Sequence, residues 1–190
     1  MSWLGPWQPT TLEERLDRME SEAMIRQLPA RYAQALDSRN IAALVQLFPA
    51  DVQVGRDQHG RDALFTYMDE LMRFARVSVH VIGSQTIDFI DADHATGIVY
   101  CADELERPDL GEWQMGRIQY WDAYERVEGV WYFRRRKVHR WYIADALQRP
   151  SAGAGYEEIP MGDRPLPDAY PSWADYWARA AAAERSVPGM

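Results

Sequence analysis

Cysteine is nearly absent from this chain. Cys101 is the single one in 190 residues, so no internal disulfide forms, and a reducing, cytoplasmic setting is expected. No apolar run approaches the roughly 18 residues that a membrane-spanning helix needs. The opening stretch, Met-Ser-Trp-Leu-Gly-Pro-Trp, lacks the basic region and apolar core of a secretory signal. Gly-x-Gly-x-x-Gly, a phosphate loop and Gly-x-Ser-x-Gly are all missing, which argues against nucleotide cofactors and a serine elbow. Histidine is sparse as well. His59, His80, His94 and His139 show neither His-x-His nor His-Glu-x-x-His spacing, so neither a metal nor any other cofactor is expected.

What is present describes an ordinary globular chain, 47% hydrophobic and 26% charged, of a size that suits one domain. The net charge of −8 repels phosphate backbones, and the one cationic cluster, Arg134-Arg135-Arg136-Lys137, resembles no nucleic-acid motif. Neither nucleic acid nor membrane is an expected partner. The aromatic set is skewed, with eight Trp and ten Tyr against five Phe. Rings that carry a polar handle suit a pocket wall or an interface, although core packing accounts for any single one equally well.

Residues 1–10 read as an arm. From 11 to 37 the spacing of Leu12, Leu16, Met19 and Ala23 predicts a helix, capped by Thr10 or Thr11 with Glu14 at the capping-box position. Pro29 predicts a kink or a fresh start inside it. A short helix at 41–47 follows, then a third at 61–75 with Leu64, Tyr67, Met68 and Leu71 on one face. The texture then changes to four β-rich stretches, 77–89, 95–105, 116–127 and 130–142. They are separated by turn chemistry at Asp91-Ala92-Asp93, 107–111 and Glu128-Gly129. Helices first and strands after predict an α+β domain over 11–148, with long strands in a strongly curved, mostly antiparallel sheet. Residues 149–190 form a Pro- and Gly-rich tail, with a short aromatic, alanine-rich helix expected at 173–184.

Several short stretches resemble the SnoaL-like branch of the NTF2-like superfamily. Residues 24–40 are similar to its opening helix, Gly60-Arg61-Asp62-Ala63-Leu64 to the start of its third helix, and Val79-His80-Val81-Ile82-Gly83 to its first long strand. Tyr124-Glu125-Arg126-Val127 with Gly129-Val130-Trp131-Tyr132 is similar to its closing hairpin. The resemblance covers about residues 11–145 and implies a cone of three helices on a curved sheet. Within that branch the pattern resembles bile-acid 7α-dehydratases and, more loosely, scytalone dehydratase. It implies catalytic positions at Tyr32, Asp37, His80 and Asp103 and a substrate anchor at Arg140, with Tyr120 and Trp141 as further substrate-binding candidates.

Each position also has a structural reading. Asp37 lies in turn-like Asp-Ser-Arg-Asn, yet an anion at a helix C-terminus meets the negative end of the dipole and calls for a cationic or N–H partner. His80, among Val77, Val79 and Val81, is either a satisfied core residue or a base oriented by a carboxylate. Five helical steps turn Tyr32 away from Asp37, so the two converge only at a helix end or a distortion. Asp103 shares the apolar parity of Val99 and Cys101. Arg134, Arg136, Val138 and Arg140 share one parity, and most of that basic run reads as a solvated face. The resemblance implies a cofactor-independent lyase, dehydratase-type, acting on a hydrophobic cyclic or aromatic alcohol, with loss of formaldehyde from a lignin-derived diaryl diol as a variant. A double-bond isomerase and a non-catalytic hydrophobic-ligand module are the alternatives. A homo-oligomer, dimer or trimer, is implied as well.

Overall fold

The computed structural model describes residues 6–147, together with Ser172, Ala174 and Ala178, which are helical. The remainder of the 149–190 tail and most of its expected helix lie outside the described residues. Helix α1 spans Leu12–Asp37 and starts on Thr11, whose side chain accepts from the Glu14 N–H while the Glu14 carboxylate accepts from the Thr11 N–H. This is the expected capping box. Pro29, by contrast, does not start a new helix: α1 runs through it as one element, with Pro29 buried along with Ile25, Leu28 and Tyr32. Packing on the sheet outweighs the one backbone bond that proline forfeits.

The buried face of α1 also departs from the expected stripe. Leu12, Leu16 and Met19 are exposed, whereas Arg18, Ser21, Ile25, Leu28, Tyr32 and Leu36 face inward. Arg18 explains the swap: its guanidinium lies over the Trp7 and Phe89 rings and donates to the Trp7 carbonyl, so its charge is served while its stem is buried. Helix α2, Ile41–Val45, is shorter than expected. A two-strand ribbon, β1 (Gln53–Val54) and β2 (Gln58–His59), had no sequence signal. Helix α3 spans Arg61–Leu71 and tightens into a 3₁₀ turn at Met72–Phe74; Leu64 and Met68 are buried, but Tyr67 is exposed.

Four long antiparallel strands follow: β3 (Val77–Phe89), β4 (His94–Arg107), β5 (Glu112–Val127) and β6 (Val130–Asp145), ordered β3-β4-β5-β6. Helix α1 packs against β3 and β6, the two outer strands. Irregularities in register fall between Ile82 and Gln85 on β3, and on β6 where Arg134 and Trp141 are each an extra residue against β5. Such bulges bend strands of this length and curve the sheet. They also reset parity. Trp131 and Phe133 point inward before the Arg134 bulge; after it, Arg136, Val138 and Arg140 occupy the inward positions opposite Asp122, Tyr120 and Ile118.

Candidate active site

The inner face of the sheet reads as cross-strand rows. The first contains His80, Asp103, Gly116 and Ile143, and the next Ile82, Cys101, Ile118 and Arg140. Residues directly opposite across antiparallel strands have Cβ atoms about 5 Å apart, which puts His80 beside Asp103.

Asp37, the last residue of α1, meets His80 from the helix layer. Its Oδ2 accepts the His80 backbone N–H at 2.8 Å, and its Oδ1 lies 2.6 Å from His80 Nδ1. The partner predicted for this helix-end anion is thus both an N–H and an imidazole. The Asp37 carboxylate fixes Nδ1 as the protonated ring nitrogen, which leaves the Nε2 lone pair as a base. The His80 side chain is 8% exposed and that of Asp37 is 27% exposed.

Two residues missed in the sequence brace Asp37. Ser78 Oγ donates to Asp37 Oδ1 at 3.1 Å and accepts from Arg39 Nη1 at 2.6 Å. Arg39 also donates to the Leu36 and Ala75 carbonyls, tying the end of α1 to the start of β3. It does so from a left-handed backbone (φ 56°), a conformation that costs a non-glycine residue about 1 kcal/mol. A strained arginine just past a helix end is a signal, but φ is not legible in sequence.

Asp103 is buried, and its Oδ1 has no hydrogen-bond partner among the described residues. Burial pushes its carboxyl above the usual range, while the charges of His80, Arg140 and Arg117 pull it back. It occupies space that only a glycine leaves open: a Cβ on Gly116 would stand 2.0 Å from Asp103 Oδ1. Arg140, in the neighbouring row, is partly buried, and that burial lowers its guanidinium pKa against the opposing pull of Asp103 and Tyr120. Trp141 is the bulged residue next to it and is half-buried.

Tyr32 and Tyr120 fall elsewhere. Tyr32 packs edge-on against Phe48, Tyr120 and Phe133, with ring centroids 5.8–6.4 Å apart, and takes no part in the hydrogen bonds around Asp37. Helix α1 continues through Pro29 without a break, and the Tyr32 ring stays among these aromatic neighbours. Burial pushes the Tyr32 phenol up to about 12, with Arg136 opposing, and raises Tyr120 well above its ordinary value. Both remain neutral donors.

Between these rings lies Arg136, which the basic run placed on a solvated face. That expectation is corrected: its side chain is 4% exposed and Asp122 is fully buried. Arg136 Nε and Nη2 donate to the two Asp122 oxygens at 2.8 and 2.7 Å, and Tyr124 donates to the same carboxylate at 2.9 Å. The bulge at Arg134 is the physical reason, because it turns Arg136 inward. Arg134 itself is exposed and paired with Asp51, as expected of a surface cation.

No metal-holding group of His, Cys, Asp and Glu occurs among the described residues. No described helix is long and apolar enough to cross a membrane.

Several solved structures share this fold. A putative scytalone dehydratase from Novosphingobium aromaticivorans is 22% identical, with a TM-score of 0.59 over 71% of this chain and 93% of its own. Hexachlorocyclohexane dehydrochlorinase LinA-type3 from Novosphingobium barchaimii is 21% identical, with a TM-score of 0.63 over 77% and 99%. A single-residue variant of a Mycobacterium tuberculosis protein of unknown function is 20% identical, with a TM-score of 0.56 over 92% and 94%. No curated protein shows a significant match. The model of the SnoaL-like domain matches residues 17–137, a span that includes Asp37, His80, Asp103 and Arg136, and the chain belongs to that family within the NTF2-like superfamily.

Proposed function

We propose that this protein is a cofactor-independent acid/base lyase of the dehydratase type, acting on a hydrophobic cyclic or aromatic alcohol. The observation that carries the reading is the His80–Asp37 pair, a 2.6 Å contact to Nδ1 of a largely buried imidazole that leaves Nε2 as the base. Beside it stands Asp103, a carboxyl that burial favours in its neutral form. A base next to a carboxyl kept neutral is the pairing that acid/base elimination uses.

In this reading Nε2 of His80 takes a proton from a substrate carbon, and the resulting imidazolium is held by Asp37. The C–H electron pair becomes the new double bond as the C–O bond breaks. The leaving oxygen takes the Asp103 proton and departs as water, and a proton passing from His80 to Asp103 restores the resting state. Arg140 anchors a polar oxygen of the substrate, Tyr32 and Tyr120 donate from the aromatic wall, and Trp141 flanks the site. The related folds that carry a dehydratase and a dehydrochlorinase name support elimination as the class of chemistry.

The test is mass spectrometry of products from a panel of aryl and steroidal alcohols, including diaryl diols. Loss of water is expected. Loss of formaldehyde would assign carbon–carbon cleavage to the same base, and a product of unchanged mass would assign an isomerase. Ligand-dependent stabilisation with no turnover of any compound would sink the catalytic reading and favour a binding module.

A further inference from the structure

A second polar centre lies three rows along the inner face from His80, where Asp122 on β5 opposes Arg136 on β6. Gln85 Nε2 donates to the Tyr124 hydroxyl, Tyr124 donates to Asp122, and Asp122 receives two donors from Arg136. The guanidinium carbon lies 4.4 Å from the Tyr32 ring centroid and 4.0 Å from each of those of Tyr120 and Phe133. Its third nitrogen, Nη1, is buried and has no hydrogen-bond partner among the described residues. A buried N–H of a charged group left unserved is costly, and native structures seldom keep one without a use.

The chemistry around Nη1 restricts what it would serve. Arg136 and Asp122 cancel each other's charge, and Tyr124 and Gln85 add none. A carboxylate or phosphate here would leave a net buried negative charge, which is disfavoured. A neutral acceptor oxygen meets no such penalty. The three rings around the guanidinium favour a flat, apolar framework to carry that oxygen.

We propose that Arg136 Nη1 is a substrate-binding donor for a neutral acceptor oxygen, a ketone, ether or phenol, on an aromatic or conjugated ring system. The inference rests on the reading that this face of the sheet receives a hydrophobic small molecule, and it names what the end of that molecule remote from His80 carries. Arg136 thereby selects oxygenated aromatic compounds over plain hydrocarbons of the same shape.

Binding of 2-acetylnaphthalene and of 2-ethylnaphthalene, followed by intrinsic tryptophan fluorescence, tests this without any turnover. The wild type is expected to prefer the ketone by about tenfold or more, the usual gain from a hydrogen bond to a charged donor. His80→Ala should keep that preference, so failure of the base assignment and failure of this one are separable. Arg136→Lys retains a cation for Asp122 but has no atom at the Nη1 position, and it should bring the ratio close to one. If Arg136→Lys does not fold, the paired replacement Arg136→Met with Asp122→Leu is measured in its place, because it removes both charges together. Equal affinity for the two probes in the wild type, no binding of either, or a ketone preference that survives loss of Arg136 would each overturn the proposal.

Discussion

Asp103 and Gly116 meet so closely that each determines what the other can be. Gly116→Ala forces its new methyl group into the Asp103 carboxyl, and we expect a loss of about 1–3 kcal/mol in denaturant unfolding. Adding Asp103→Ala should return much of that loss, and strict additivity of the two changes would show that they do not touch. The carboxyl also gives a pH signature. Its pKa in the folded protein is raised by burial, so the native state binds a proton more tightly than the unfolded chain does. The stabilisation is full below the ordinary Asp pKa and is lost as pH rises from there through the folded value. Asp103→Asn should therefore raise Tm relative to wild type at pH 8, with the gap closing near pH 4. A gap that widens toward low pH would contradict the burial account. Cys101, whose thiol burial pushes up to about 12, should resist alkylation at pH 8 until denaturant is added.

At the scale of elements, what the sequence disclosed depended on whether a local rule held. Thr11 and Glu14 announce the start of α1, and alternation announces four strands, so Asp103 is legible as inward from the parity of Val99 and Cys101. Parity fails where a strand carries an extra residue. The bulge at Arg134 has no local cue, and it converts Arg136 from an expected surface cation into half of a buried pair. Arg39 and Ser78 were missed for another reason: they act through tertiary contacts between a helix end and a strand start that are far apart in sequence. His80 and Asp37 were legible through family motifs rather than through spacing. The buried pair makes a firm stability prediction. Asp122→Asn leaves a dry guanidinium uncompensated and should cost about 3–5 kcal/mol by urea unfolding, whereas replacing both partners with apolar residues should cost far less.

At the scale of the whole molecule, the sheet has two unlike faces. The inner face carries both polar centres. On the other, β3 and β4 expose Val77, Val79, Val81 and Tyr100, with Val81 61% accessible. An apolar edge of that kind suits self-association, and we expect a dimer or trimer by analytical ultracentrifugation that Val81→Asp weakens. On the inner face, His80 held by Asp37 is the proposed base of an elimination. This role is tested most directly by kcat/KM for a turned-over alcohol in the wild type, His80→Ala and Asp37→Asn. A fall of about 10²–10⁴-fold is expected in His80→Ala, and a substantial fall in Asp37→Asn from loss of the oriented tautomer, with the fold intact. Turnover unchanged in both variants would contradict it.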